Sequence, residues 1–119
     1  MAAAVALEHL RLVESWNVLA NVGARSVQLA ELLASRVVAN PAVREVRQRG
    51  LMVGVELAPP NDGLRWGRRV CAGAVERGVL LRPLGDVVVV MPPLTITEDE
   101  VEWIVEALAR ALDRVTQPS

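Results

Sequence analysis

The chain contains no lysine: of its 119 residues, Lys+Arg number 13, and every one of them is arginine. Schiff-base and lysine-nucleophile chemistry are therefore excluded from this polypeptide. A phosphate loop that depends on lysine is excluded with them. Histidine and cysteine occur once each, as His9 and Cys71. Zinc sites take four protein ligands, or three plus water, so one imidazole and one thiol do not build one. A lone cysteine forms no internal disulfide, which points to a reducing compartment. Net charge is also scarce, at -1 with a pI near 5.8, so the electrostatic footprint of a nucleic-acid binder is missing. Long apolar runs are missing too. Ala2 to Leu7 is short, lacks a basic start and meets Glu8 at once, which makes a poor signal peptide. No uncharged stretch approaches the ~20 residues that span a bilayer. A soluble, cytoplasmic protein is expected.

What is present fits one domain, or a piece of a larger one. Hydrophobic residues make up 52%, too many for a disordered chain. At 12.9 kDa, a folded monomer should bury roughly two-thirds of its unfolded surface.

The pattern along the chain predicts helices over residues 2–14 and 17–38. Val5, Leu7, Leu10 and Val13 mark the first, and it starts with no capping side chain ahead of it. Asn17 is a candidate cap for the second, with Val18, Val22, Val27, Leu29, Leu32, Leu33 and Val37 as its apolar face. Asn40-Pro41 ends it. Val43 to Leu57 then reads as strand, broken near Gly50, with Leu51, Val53, Val55 and Leu57 on one face and Met52, Gly54 and Glu56 on the other. A loop at 59–63 leads to a helix over 64–77, with Val70, Ala74 and Val75 inward and Gly78 as its C-terminal cap.

Val79 to Arg82 and Val87 to Met91 flank Pro83-Leu84-Gly85-Asp86 and read as a hairpin. Pro92-Pro93 closes it. Thr97 and Glu100 make a capping box for a last helix, with Ile96 and Val101 as its hydrophobic staple. Such an order predicts an α+β fold, a small and mainly antiparallel sheet with helices on one face. The run Val87 to Met91 is apolar on both faces, so its second face is expected to meet a partner domain or subunit.

Among residues that could carry chemistry, Arg82 stands out. It ends an apolar strand, and a guanidinium fork there suits bidentate binding of a carboxylate. The plainer alternative is a rim arginine that reaches water or pairs with Asp86. Two arginine clusters, Arg44/Arg47/Arg49 and Arg65/Arg68/Arg69, read as solvated faces balanced by Glu45, Glu56, Asp62 and Glu76. Glu98, Asp99, Glu100 and Glu102 fall in a first helical turn, where the helix dipole favours acids. His9 reads as a surface or satisfied histidine. Cys71 reads as a small core residue rather than a nucleophile. Trp16, Trp66 and Trp103 are too scattered to stack bases, and the glycines form no phosphate-binding fingerprint. No catalytic, cofactor-binding or metal-binding residue is assigned.

Two segments carry a resemblance: Val46-Arg47-Gln48-Arg49-Gly50-Leu51-Met52-Val53-Gly54-Val55-Glu56-Leu57, and Gly78-Val79-Leu80-Leu81-Arg82-Pro83-Leu84-Gly85-Asp86 running on through Val87 to Thr97. Both resemble the C-terminal small domain of class III pyridoxal-phosphate aminotransferases, a fold-type I family. The Leu-Arg-Pro-Leu-Gly and Met-Pro-Pro pieces are most similar to its biotin-pathway branch, which transfers an amino group from S-adenosylmethionine to 8-amino-7-oxononanoate. Related ω-amino-acid transaminases carry similar strands.

The resemblance implies that residues 1–39 are a helical lead-in from a large domain and residues 40–119 the small domain. It implies pyridoxal 5'-phosphate, amino and oxo acid substrates and a homodimer for the complete enzyme. The family's cofactor lysine would lie upstream, so this chain alone is expected to be inactive and to bind no cofactor. The uncapped start fits a fragment. Arg82 matches the arginine that grips the substrate carboxylate. Val89 stands where the biotin branch often has a pocket-lining tyrosine. The competing expectation is a non-catalytic α+β binding or assembly module.

Overall fold

A computed structural model describes the backbone of residues 2–60 and 63–116 and the side chains of residues 17–60 and 63–116. Its elements run α1 (Ala2–Arg36), β1 (Val43–Arg49), β2 (Met52–Leu57), α2 (Trp66–Glu76), β3 (Arg82–Leu84), β4 (Val87–Val90) and α3 (Glu98–Thr116). The four strands form one sheet in the order β1-β2-β4-β3, antiparallel throughout. The expected α+β architecture is the one observed.

Several boundaries differ from the sequence reading. The two expected N-terminal helices are one helix of 35 residues, and Asn17 lies inside it rather than capping it. No proline interrupts that stretch, so nothing breaks the hydrogen-bond ladder there. The expected broken strand is a hairpin. Gly50 adopts φ +60, Arg49 faces Met52, and the chain reverses over two residues. Pro83 and Leu84 belong to β3, so the second turn is Gly85-Asp86 alone, with Gly85 at φ +62. A glycine in that conformation at the first turn position lets the twist of a two-residue turn match its strands.

α3 begins as its sequence announces. The Thr97 hydroxyl accepts the Glu100 amide at 3.2 Å, and the Glu100 carboxylate accepts the Thr97 amide at 3.1 Å. Ile96 and Val101 are both buried. α2 ends in a Schellman turn: Gly78 N–H donates to the Val75 carbonyl and Val79 N–H to that of Ala74, both at 2.9 Å.

The inner face of the sheet carries Val53, Val55, Val88 and Val90, all 2% exposed or less. Leu29 and Leu33 of α1, Val37 just past its end, and Val101, Val105, Leu108 and Leu112 of α3 share this core. Gly73 lets α2 lie close to Ala111 of α3. Val27 and Val75, expected inward, are both more than half exposed. Each helix is wider than the strip of core it covers. α1 is also tied on by polar side chains: Asn21 donates to the carbonyls of Leu94 and Ile96, and Gln28 to that of Glu98. Among the described residues, no helix is long and apolar enough to cross a membrane.

Candidate functional site

The opposite face of the sheet is built by register. Arg82 of β3 faces Val89 of β4, Val89 faces Gly54 of β2, and Gly54 faces Arg47 of β1. Directly opposed residues project to the same side. One cross-sheet row therefore reads Arg82, Val89, Gly54, Arg47. The next row reads Leu84, Val87, Glu56, Glu45. Val87 and Val89 are half-buried and Met52 is exposed, while their inner neighbours Val88 and Val90 are buried. Among the described residues, no helix covers this outer face to the extent that the inner face is covered.

Arg82 opens the edge strand, exposed, with Val89 as its apolar neighbour. Among the described residues it forms no ion pair, and Asp86 is not its partner. The site thus has a guanidinium fork beside an aliphatic wall. Such a pair can hold a carboxylate that is followed by an apolar chain.

The other candidates have structural explanations. Arg44 and Arg47 share Glu56 at 3.8 and 3.9 Å on an exposed edge, where such pairs contribute little. Arg65, Arg68 and Arg69 are exposed around the start of α2. Arg65 holds a left-handed conformation at φ 53 as that helix begins. Glu98, Asp99 and Glu100 occupy the first turn of α3, and Glu100 is engaged by Thr97. Cys71 is buried, and burial pushes its thiol up to about 11, the opposite of an activated nucleophile. His9 and Trp16 lie outside the described side chains. Trp66 is buried, whereas Trp103 is exposed and donates to the Arg77 carbonyl at 3.0 Å. Among the described residues no group of three His, Cys, Asp or Glu side chains could hold a metal.

A groove of about 310 Å³ lies beyond the β3–β4 end of the sheet, lined mainly by Leu80, Leu81, Met91, Pro92, Ile96 and Trp103. Sequence reading did not anticipate it, because it forms only where α3 crosses the end of the hairpin. The row itself was also missed beyond Arg82 and Val89. Two glycine turns at 50 and 85 were the available signal, since turn length sets register.

Comparison with known proteins bears on this geometry. A family model described as aminotransferase class-III matches residues 1–112. The chain belongs to the class-III aminotransferase family. It is 40% identical over 124 aligned positions to an adenosylmethionine-8-amino-7-oxononanoate aminotransferase of Nitratidesulfovibrio vulgaris, covering 98% of this chain and 23% of that protein. A solved adenosylmethionine-8-amino-7-oxononanoate aminotransferase from Methanocaldococcus jannaschii superposes with a TM-score of 0.80 at 33% identity, over 94% of this chain and 27% of that one. A thermostable omega transaminase mutant from Pseudomonas jessenii superposes with a TM-score of 0.81 at 37% identity, over 96% and 27%. This class-III chain therefore spans about a quarter of the length of the relatives it matches.

The cofactor implied by the family is an aldehyde that bonds an amine, and the donor set of this chain does not fit it. There is no lysine. The groove beyond the β3–β4 end carries only the Glu100 carboxylate as a charged group. The hollow between Arg65 and Arg68 also contains Asp86.

Proposed function

We propose that this chain is the substrate-gripping C-terminal portion of a pyridoxal-phosphate-dependent class III aminotransferase. In the complete enzyme it would serve transfer of an amino group from S-adenosylmethionine to 8-amino-7-oxononanoate, the reading that the names of its relatives support. Residues 1–39 lead in from the large domain, and residues 40–119 form the small domain. The last turns of that lead-in, at Leu29, Leu33 and Val37, pack into the small-domain core. The large domain brings the cofactor and its lysine, and a homodimer completes the enzyme. The chain alone is inactive. A cytoplasmic setting is supported by the single, buried Cys71.

Arg82 anchors the acceptor's carboxylate. The observation that carries this is its freedom from ion pairs among the described residues, together with its register opposite Val89. A guanidinium without an internal carboxylate is available to an external one. Val89 also favours a second reading. An aliphatic wall, where the biotin branch often has tyrosine, suits a different ω-amino acid or oxo acid, in line with the Pseudomonas jessenii transaminase fit.

The test is Arg82→Ala in the complete enzyme. Transition-state binding of a carboxylate-bearing acceptor should fall by about 2–5 kcal/mol, the range for breaking a desolvated charge pair. An uncarboxylated ketone should react as before. Equal kcat/KM for the carboxylated acceptor in both proteins would remove Arg82 from the site. Mixed with pyridoxal phosphate, the 119-residue chain with a blocked N-terminal amine should develop no stoichiometric visible band.

A further inference from the structure

Most glycines whose role is legible here answer to the chain itself. Gly50, Gly63, Gly78 and Gly85 take positive φ. At Gly67 a Cβ would collide with the Gly85 carbonyl. Gly54 answers to neither cause. It sits in β2, an inner strand of the sheet, with no left-handed backbone. A Cβ there would meet only the Val87 Cγ1 at 3.5 Å, an ordinary contact. The sheet's one irregularity lies elsewhere, between Val43 and Glu45 of β1.

Glycine inside a strand costs about 0.5–1 kcal/mol relative to alanine. Where no bulge or bend requires it, it marks a place where a ligand or another backbone comes close. The approach must come from the outer face, because that is where a Gly54 side chain would project. That face is broad, with three inter-strand spacings of about 4.8 Å separating β1 from β3. Met52, Val87 and Val89 give it an apolar patch around Gly54, Glu56 on the same face is engaged by Arg44 and Arg47, and arginines stand at both edges. An apolar centre inside a charged rim is how protein interfaces are built. A small ligand held by Arg82 would use one edge only.

Resting on the class III reading above, we infer that Gly54 is the contact point at which a main-chain segment of the large domain crosses the outer face of this sheet. The segment is apolar where it passes Val87 and Val89. Beside β1 it offers a carboxylate to Arg49, while Arg47 keeps its Glu56 partner, which leaves Arg82 at the opposite edge for substrate. The relatives supply the occupant, since roughly three-quarters of each lies outside the region this chain matches.

Met52 provides the readout, because its exposed thioether lies on the same face one pleat from Gly54. Peroxide oxidation followed by peptide mass spectrometry should be rapid for Met52 in the 119-residue chain. In the complete enzyme it should be at least about tenfold slower, since oxidation follows exposure. Gly54→Val should restore the fast rate in the complete enzyme. Gly54→Ala in the 119-residue chain should leave its urea midpoint unchanged or raise it. Equal Met52 rates in complete Gly54→Val and parent enzymes would overturn the inference. So would a lower midpoint for Gly54→Ala in the short chain, which would mean an internal packing role. A raised acceptor KM with Met52 still protected would also overturn it, in favour of a ligand floor. Arg82→Ala should leave Met52 protected, so the docking surface and the carboxylate anchor fail separately.

Discussion

Val88 and Val89 are neighbours in one strand, yet they face different surroundings. Val88 is fully buried under the helices, against Val55 across the strand. Val89 is half-buried on the outer face, between Gly54 and Arg82. The same alternation divides β2 into Val53 and Val55 inside and Met52, Gly54 and Glu56 outside. Side-chain chemistry barely differs along β4, so the difference comes from what the rest of the chain supplies. The inner face holds this fold together. The outer face carries Arg82, which forms no ion pair among the described residues, and Gly54, which neither a turn nor a close internal contact requires.

The sharpest way to break that comparison is a matched pair of substitutions. Val88→Ala removes two buried methyl groups and leaves a cavity, for about 2–3 kcal/mol of stability. Val89→Ala in the same chain should cost less than about 1 kcal/mol, because its methyl groups are only partly removed from water. Urea unfolding of both variants decides it. Equal losses would mean that the outer face is already part of the core.

A second prediction probes how dry the helix-covered side is. Cys71 lies in α2 and belongs to the buried cluster. Burial pushes its thiol from the ordinary 9.0 up to about 11 in the folded chain. Between those values the unfolded chain has lost a proton that the folded chain keeps, so stability falls as pH rises. The chain has no lysine or tyrosine to obscure this window. A loss on the order of 2 kcal/mol is expected between pH 9 and 11. In Cys71→Ala the slope should vanish, whatever that substitution costs at neutral pH. A flat profile in the parent would show that water reaches the thiol.

Much of the covered side was legible beforehand, because its signals are local. The capping box needs only Thr97 and Glu100, and the Schellman turn only Gly78. The alternation in β2 needs only its own six residues. The outer face was legible in pieces. Arg82 and the doubly apolar β4 stood out, but the row that joins Arg82 to Val89, Gly54 and Arg47 depends on pairing between segments far apart in sequence. Pro83-Leu84 looked like turn residues and proved to be strand, which shortened the turn and set that register. The continuity of α1 was hidden because Asn17 is a good cap in isolation. Val27 and Val75 were misplaced because a helical period identifies a face without giving its width.

The smallest prediction tests the lid of the covered side. α3 supplies Val101, Val105, Leu108 and Leu112 to the core, and its first turn is held by Thr97 and Glu100. Thr97→Ala leaves the Glu100 amide without its side-chain acceptor and should cost about 1 kcal/mol, as lost N-caps do. Glu100→Gln should cost less, because the amide oxygen of Gln can still accept the Thr97 N–H. Thermal melts of the two variants give the ranking, and amide exchange at position 100 should quicken in Thr97→Ala alone. If both variants melt with the parent, the four buried side chains of α3 seat that helix by themselves. The covered side would then owe its order to packing rather than to its cap, while the outer face would be unaffected in either case.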